Sequence, residues 1–356
     1  MEKKVGPFEI ASAYIGVTIG AGFASGQEVL QFFTLFGLNS LPAILLSSVL
    51  FVFFGAIVLN LGRRLRAASH LEIIRYAGGK YLSVITDVIT TLFLFGITSA
   101  MAAGAGAIFA QQFNLPALWG AAAMMGLTLA TVLLGIRALI SALGFVVPLL
   151  LVGVLGVTSV TLAANPVDLD AVSLVARPWN AVVPFWPLSA LTYVSYNLIV
   201  AVAILAPMGV LARRGRVAYE GALVGGIGLG VGILAINLAM LAVPESTTVP
   251  VPMAFIAGRI SGYIQFLYAF VLMLAIYTTA VGALYGFAAR FAVSTSPRFR
   301  WIALATGVSG LIGAEFGFTI LVRYLYSAIG VAGFILLGGL TYSYIRESLP
   351  RRLANR

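Results

Sequence analysis

The sequence predicts an all-α polytopic membrane protein with about ten transmembrane helices. Of the 356 residues, 61% are hydrophobic and only 9% are charged, whereas soluble chains carry about 25% charged residues. The mean hydropathy is +1.06. Apolar runs of about 20 residues, long enough to cross a hydrocarbon core of about 30 Å, recur along the whole chain. These observations exclude a soluble globular fold.

The expected spans follow from the positions of these apolar runs. They cover about 8–36, 41–63, 81–112, 116–136, 138–164, 183–212, 219–243, 260–290, 300–317 and 319–345. The N-terminal stretch MEKKVGPFEIASAYIG has no small-residue cleavage site, and its apolar run continues for about 30 residues. We therefore expect a retained first helix rather than a signal peptide.

The net charge of +10 indicates topology rather than a nucleic-acid partner. With the N-terminus inside, 18 of the 21 basic residues fall on the cytoplasmic side, as the positive-inside rule requires. An even number of crossings then places both termini in the cytoplasm. The basic residues on that side are Lys3, Lys4, Arg63, Arg64, Arg66, Arg75, Lys80, Arg137, Arg213, Arg214, Arg216, Arg290, Arg298, Arg300, Arg346, Arg351, Arg352 and Arg356.

Weak internal repeats share an offset close to half the chain length. SAYIGVTIG at Ser12 aligns with SALTYVSYN at Ser189, an offset of 177, and ITSA aligns with YTTA at an offset of 180. We therefore expect one transmembrane domain over 1–356, with repeats at about 8–164 and 183–345. Five spans per repeat are an odd number, so the second repeat must be inverted, and such folds place their sites where interrupted helices meet.

Two interruptions are expected in equivalent spans. GVTIGAGFASGQEV (residues 16–29) places Gly16, Gly20, Gly22 and Gly26 within the first apolar segment, and each glycine disfavours helix by about 1 kcal/mol. The polar run TYVSYN (residues 192–197) interrupts the sixth segment. Glycine also serves close helix packing, so packing remains the alternative interpretation of the first segment.

The motifs IGAGFASGQE and LTYVSYN resemble those of the YkvI-like family of bacterial membrane proteins and, more widely, the amino acid–polyamine–cation superfamily. The resemblance implies the LeuT fold, in the bacterial cytoplasmic membrane. It implies a secondary transporter working by alternating access, in which a bundle of spans 1, 2, 6 and 7 moves against a scaffold of spans 3, 4, 8 and 9. PESTTVPVPMAFIAGRISG fits the outer element between spans 7 and 8 of this fold, or an ordinary polar loop.

The expected substrate site lies at the two breaks, where unwound backbone presents N–H and C=O groups to a ligand. Thr98 and Ser99, the pseudo-symmetric partners of the threonines in YTTA, are expected to border the cavity. The predicted substrate-binding residues are Gly20, Ala21, Gly22, Phe23, Ala24, Ser25, Thr98, Ser99, Tyr193, Ser195, Tyr196 and Asn197. Glu28 and Arg323 form a candidate gate, or each faces water separately.

A sodium site is implied by the resemblance. In sodium-coupled members of this fold, two carbonyls beside the first break combine with oxygens spaced A-x-x-[ST]-[ST] on the eighth span. The matching residues here are Gly16, Ile19, Ala275, Thr278 and Thr279. A membrane threonine also bonds its own i−4 carbonyl, which is the structural alternative. Span 5 lacks the lysine that replaces the cation in some proton-coupled relatives, which favours sodium.

The sequence thus predicts sodium-coupled symport of a small zwitterion, an amino acid by first expectation. The alternative is a proton-coupled amino acid or amine transporter or exchanger of the same fold, with Glu28 or Asp87 as the titrating group. An enzyme is not expected, because the chain has no cysteine, one histidine and no paired carboxylates at mid-depth. The expected partners are a small-molecule substrate, Na⁺ and the lipid bilayer, with no organic cofactor and no nucleic acid.

Overall fold

The computed structural model describes residues 5–67, 70–134, 137–168, 172–173, 175–293 and 295–354. These ranges form helices without strands, and an isolated backbone bridge joins Val5 to Ala212. The helices are α1 (Pro7–Thr18), α2 (Ala21–Ser25), α3 (Gln27–Phe32), α4 (Ser40–Leu65), α5 (His70–Phe113), α6 (Ala117–Leu134), α7 (Arg137–Ala164), α8 (Trp186–Leu211), α9 (Gly215–Ala242), α10 (Pro252–Ile260), α11 (Gly262–Phe291), α12 (Pro297–Ala314), α13 (Phe318–Ala332) and α14 (Phe334–Ala354).

The all-α membrane fold is confirmed, and every predicted span contains helix. Within the described ranges, seven segments are long and apolar enough to cross a bilayer: Thr34–Leu65, Val84–Phe113, Ala117–Leu134, Trp186–Leu211, Gly215–Ala242, Gly262–Phe291 and Phe318–Arg346. The other three expected crossings correspond to the interrupted α1–α3, to α7 and to α12. Ten crossings and the inverted repeat remain predictions.

The first span is broken where the glycines predict it. Helix α1 ends at Thr18, Ile19 and Gly20 are extended, and α2 is only five residues long. Gly26 then has a φ of 85°, a left-handed conformation that residues with a Cβ rarely adopt. The helix of the first span is therefore interrupted twice, at Ile19–Gly20 and at Gly26.

The predicted break in the sixth span is wrong, because α8 runs without interruption from Trp186 to Leu211. Two of its polar side chains are satisfied by their own helix. The Thr192 hydroxyl donates to the Leu188 carbonyl at 2.7 Å, and the Asn197 amide donates to the Tyr193 carbonyl at 2.9 Å. Bonds of this i−4 type remove the need to unwind the backbone around a polar side chain.

Helices α1, α4, α8 and α9 pack as one bundle, in agreement with the grouping of spans 1, 2, 6 and 7. Glycines bring the backbones into contact. A Cβ on Gly62 of α4 would lie 3.0 Å from the carbonyl carbon of Ala206 on α8, and Gly209 of α8 is equally close to Leu59. Such small-residue seams let membrane helices approach closely.

Helices α5, α6, α11 and α12 pack as a second group, which corresponds to the expected scaffold. A Cβ on Gly106 of α5 would lie 2.6 Å from the carbonyl oxygen of Ala117 on α6. The hydroxyls of Thr131 on α6 and Tyr277 on α11 are 2.6 Å apart. The scaffold is therefore joined by both close backbone contacts and polar side chains.

The connection between α9 and α11 contains the short helix α10 and is fixed to the scaffold. The Gln111 side chain at the end of α5 donates to the Val251 carbonyl and accepts from the Val251 N–H, both at 3.1 Å. This two-point amide contact holds the start of α10 beside the end of α5.

Candidate functional site

The break after α1 is the centre of the candidate site. A helix leaves the carbonyls of its last turn without intrahelical partners, so α1 presents acceptor oxygens where it ends at Thr18. A Cβ on Gly20 would meet nothing within 4 Å, so this backbone borders open space. The break therefore offers exposed backbone to a ligand, as the sequence predicts.

The residues that follow Gly20 serve mainly to hold α2. The Phe23 ring packs on α9, where its Cζ would lie 3.0 Å from a Cβ on Gly232. The Ser25 hydroxyl donates to the Gly22 carbonyl at 2.7 Å and accepts from the Gln27 N–H at 3.1 Å. These side chains are buried and fix the geometry of the break.

The side chain of Glu28 covers Gly22. A Cβ added to Gly22 would overlap the Glu28 carboxylate, with the carboxylate carbon only 2.9 Å away. Glu28 is buried and accepts a hydrogen bond from the Tyr196 hydroxyl of α8. The position expected for a ligand carboxylate is thus occupied by a carboxylate of the protein.

Four aromatic rings lie around the Tyr196 member of this pair. The Tyr196 ring centroid lies 5.2 Å from Tyr326, 5.4 Å from Tyr193, 5.6 Å from Phe32 and 6.3 Å from Phe93. We call these five residues the aromatic cluster. Tyr193 and Tyr196 are predicted site residues, whereas Phe32, Phe93 and Tyr326 are not, since nothing distinguishes them among 23 Phe and 14 Tyr.

Several buried oxygen atoms near these elements have no hydrogen-bond partner within the described part of the chain. They include the side-chain carbonyl oxygens of Gln27 and Gln31 on α3 and the hydroxyl of Ser195 on α8. Gln31 lies three residues after Glu28, so the two share one helix face. Helix α3 therefore carries a charged and an amide acceptor on adjacent turns of a buried surface.

The structure does not pair Glu28 with Arg323. Arg323 donates to the Trp179 carbonyl at 3.1 Å, and its guanidinium lies 5.6 Å from the centroid of the Tyr324 ring. Tyr196 takes the place of the arginine as the partner of Glu28. A gate made of a Glu28–Arg323 ion pair is therefore not formed in this structure.

Thr98 and Ser99 lie within the scaffold. Their hydroxyls bond the carbonyls of Leu94 and Phe95 at 2.9 and 3.4 Å. The same side chains pack on two glycines of α12, Gly310 and Gly313. The neighbours found for them are those of a helix contact, and their place at the border of the substrate cavity stays a prediction.

The expected sodium ligands lie on two elements. Gly16 belongs to the last turn of α1 and Ile19 follows it, whereas Ala275, Thr278 and Thr279 lie on α11. The Thr278 hydroxyl donates to the Ala275 carbonyl at 3.0 Å. The contact found between α11 and the broken span is made by a different residue: the Tyr268 hydroxyl donates to the Ala24 carbonyl of α2 at 2.6 Å.

Asp87 forms an ion pair. Its carboxylate lies 2.5 Å from the Arg290 guanidinium, which also reaches the Thr91 hydroxyl at 3.1 Å. The Asp87 side chain is half exposed. The ion pair joins α5 to α11, and Arg290 balances the charge of Asp87. Of the two carboxyl groups considered for proton coupling, only Glu28 is buried.

A cleft of about 590 Å³ lies away from the break. It is lined by the end of α5, the start of α6, Pro250 and the segment 314–320. Its walls are mainly apolar and include Gln111, but they include none of the predicted substrate-binding residues. It borders the α10 connection rather than the candidate site.

Solved structures with the same fold define the class. Mhp1 in an inward-facing conformation matches with a TM-score of 0.64 and 18% identity, over 87% of this chain and 70% of that one. MhsT in complex with L-phenylalanine matches with a TM-score of 0.63 and 17% identity, over 94% and 89%. A Na⁺-coupled sialic acid symporter gives 0.59 and 11%, over 88% and 74%. The chain is a membrane protein with the LeuT fold of these transporters.

The sequence relatives are more specific. The uncharacterized membrane protein YkvI of Bacillus subtilis (strain 168) is 28% identical over 344 residues, covering 97% of this chain and 96% of YkvI. The uncharacterized protein YyaD of the same organism is 29% identical over 325 residues, covering 91% and 92%. No family model matches the chain. The resemblance to YkvI-like proteins is confirmed, and YkvI is itself named as a membrane protein.

Proposed function

We propose that this secondary transporter couples sodium entry to the symport of a small solute that carries an amino group, by alternating access. An amino acid is the substrate expected from the sequence. The observation that carries the proposal is the broken first span, whose exposed backbone and buried Glu28 lie between the bundle and the scaffold. Broken helices at a repeat interface are the usual substrate sites of such folds.

Sodium coupling is supported by the oxygens at the break. The α1 terminus carries the negative end of the helix dipole, which favours a cation beside its last carbonyls. On α11, the Thr278 hydroxyl donates to the Ala275 carbonyl at 3.0 Å, so the two oxygens are neighbours, and a bound ion would take the place of this intrahelical bond. The set contains no carboxylate, which suits a weakly held monovalent cation.

The test compares two driving forces in proteoliposomes that contain the purified protein. Symport of one sodium ion with a neutral zwitterion moves net charge, and a membrane potential contributes about 2.3 kcal/mol per 100 mV to it. We expect uptake of the solute into the proteoliposomes under a sodium gradient and little uptake under a proton gradient alone. Uptake that follows the proton gradient and ignores sodium would refute sodium coupling.

Variants of α11 locate the ion. Thr278→Ala and Thr279→Ala should each raise the sodium concentration for half-maximal uptake, because each removes one hydroxyl ligand. Substrate affinity at saturating sodium should change much less, since linkage acts through ion occupancy. Thr341→Ala is the matched control, because Thr341 bonds the carbonyl of Leu337 on its own helix at 2.8 Å. An unchanged sodium response in the double Thr→Ala variant would contradict the assignment.

Proton coupling is the second candidate, and one observation favours it. Glu28 is a buried carboxylate with no ion-pair partner among the described residues, and a proton would neutralise it. Proton-driven uptake that is lost in Glu28→Gln and insensitive to sodium would establish this alternative.

The proposed location is the bacterial cytoplasmic membrane, with both termini inside. The proposal rests on the basic residues of the inner loops. Since the chain has no cysteine, single cysteines placed at Arg216 and at Trp179 can be labelled in intact cells. We expect an impermeant maleimide to label position 179 and to leave 216 unlabelled, and the reverse pattern would invert the topology.

A further inference from the structure

Glu28 lies deep in the molecule. Its partner Tyr196 is ten residues from the start of α8 at Trp186, about 15 Å along a helix at 1.5 Å per residue. This depth is about half of a 30 Å hydrocarbon core. A carboxylate at this depth is costly and is retained mainly where function requires it.

The negative charge of Glu28 has no fixed counter-ion in the described part of the chain. One tyrosine hydroxyl donates to it, and the ion pairs found there join Arg216 to Glu220, Arg259 to Glu245 and Arg290 to Asp87. A buried carboxyl group without a partner charge takes up a proton, and it stays ionised only beside a cation. A mobile cation that reaches Glu28 would supply this missing charge.

The surroundings of Glu28 suit an organic ammonium better than a metal ion. The side-chain carbonyl oxygen of Gln31, on the same face of α3, is buried without a hydrogen-bond partner and adds an acceptor for an N–H group. The aromatic cluster packs around Tyr196, the hydrogen-bond partner of Glu28, and aromatic rings attract cations that are weakly hydrated and carry apolar groups. The described residues contain no group of three His, Asp or Glu that would hold a metal ion.

The position of Glu28 also disfavours a substrate carboxylate. Its side chain covers Gly22, where a second carboxylate would meet a like charge in a buried environment. We propose that Glu28 is the counter-ion for the ammonium group of the substrate, and that the substrate is a monocationic amine rather than a zwitterionic amino acid. This inference rests on the proposed transport function and specifies its substrate class.

The test uses three probes with one carbon skeleton and different charge: phenethylamine, L-phenylalanine and 3-phenylpropanoate. Thermal unfolding of the purified full-length protein is followed against probe concentration, in sodium and in choline. We expect phenethylamine to raise the unfolding temperature at lower concentration than phenylalanine, and 3-phenylpropanoate to have no effect. Equal or tighter binding of phenylalanine would overturn the proposal.

Glu28→Gln removes the charge while keeping the shape of the side chain. It should raise the phenethylamine concentration for half-maximal stabilisation by more than about tenfold. Glu220→Gln, at an exposed carboxylate of α9, is the control and should leave that concentration unchanged. If Glu28→Gln responds to phenethylamine like the wild-type protein, the proposal is overturned. It is also overturned if the wild-type protein is stabilised by sodium but not by phenethylamine, and Glu28→Gln abolishes that stabilisation by sodium.

A second pair of variants keeps the test decisive if Glu28→Gln does not fold. Tyr326→Leu removes one ring of the aromatic cluster, whereas Tyr324→Leu removes an exposed ring of the same helix. Only the former should weaken phenethylamine binding, by severalfold. Equal effects of the two variants would overturn the role of the cluster.

Uptake of labelled phenethylamine into proteoliposomes separates the two hypotheses. Amine binding that depends on Glu28 without sodium-driven uptake would refute the proposed function and leave the substrate-site inference standing. Sodium-driven uptake of another solute that is unaffected by Glu28→Gln would refute the substrate-site inference and leave the proposed function standing.

Discussion

The contact between Gly22 and Glu28 gives a prediction that can be worked out from distances. In Gly22→Ala the new Cβ would lie 2.9 Å from the carboxylate carbon and 3.1 Å from Cγ of Glu28. The side chain is flexible, so the carboxylate can move, but it then loses the hydrogen bond from Tyr196. A hydrogen bond to a charged group contributes about 1.5–3 kcal/mol, so we expect Gly22→Ala to lower the free energy of unfolding by about that amount.

A matched glycine isolates this effect. Gly20 precedes Gly22 by two residues, has an ordinary extended conformation, and would place a Cβ in open space. Gly20→Ala should therefore change the free energy of unfolding by less than about 1 kcal/mol. The two variants differ in what the added methyl group meets and in helix propensity, which favours alanine at Gly22 by up to about 1 kcal/mol and so works against the expected loss.

The assay is denaturant unfolding of the purified protein in mixed micelles, followed by the fluorescence of its four tryptophans. A double-mutant cycle with Glu28→Ala removes the clashing side chain, so Gly22→Ala should cost less than about 0.5 kcal/mol in that background. The reasoning is refuted if Gly22→Ala is as mild as Gly20→Ala, or if its cost is the same with and without Glu28.

Two further predictions concern packing. Gly209→Ala should severely reduce the folded yield and the free energy of unfolding, because its Cβ would lie 3.0 Å from the backbone carbonyl carbon of Leu59, which cannot move aside. Gly338→Ala is the control: its Cβ would meet nothing within 4 Å, so it should be tolerated. Gln111→Leu should remove both hydrogen bonds to Val251, so amide hydrogen exchange should become faster in segment 244–260 and change little in α4. Unchanged exchange in segment 244–260 would show that the contact does not hold the α10 connection.

The sequence predicts what depends on local pattern. The apolar runs locate the helices, and the glycines of the first span locate its break, because glycine both disfavours helix and permits the left-handed conformation of Gly26. The basic residues of the loops predict the topology, because the positive-inside rule depends only on which loops carry them. Each of these features depends on residues that are close together in the sequence.

The errors arise where partners decide the outcome. The polar run of the sixth span implied unwinding, yet Thr192 and Asn197 are satisfied within an intact helix. In the last span, a Cβ on Gly333 would lie 2.5 Å from the Ser195 hydroxyl oxygen, a contact that no local pattern reveals. The pairing of Glu28 with Tyr196 joins residues 168 positions apart, so the sequence offered Arg323 as an equally reasonable partner.

The short helix α2 has a mechanical consequence. It contacts the scaffold through the Tyr268 hydroxyl and the bundle through the Phe23 ring, which packs on α9. Helix α1 contacts the bundle through Tyr14 and Gly225 of α9, and the extended pair Ile19–Gly20 joins α1 to α2. In the proposed transport cycle, rocking of the bundle against the scaffold must therefore change a contact of α2 or bend the backbone at this pair. Stiffening the pair should slow the proposed transport cycle while sparing ligand affinity.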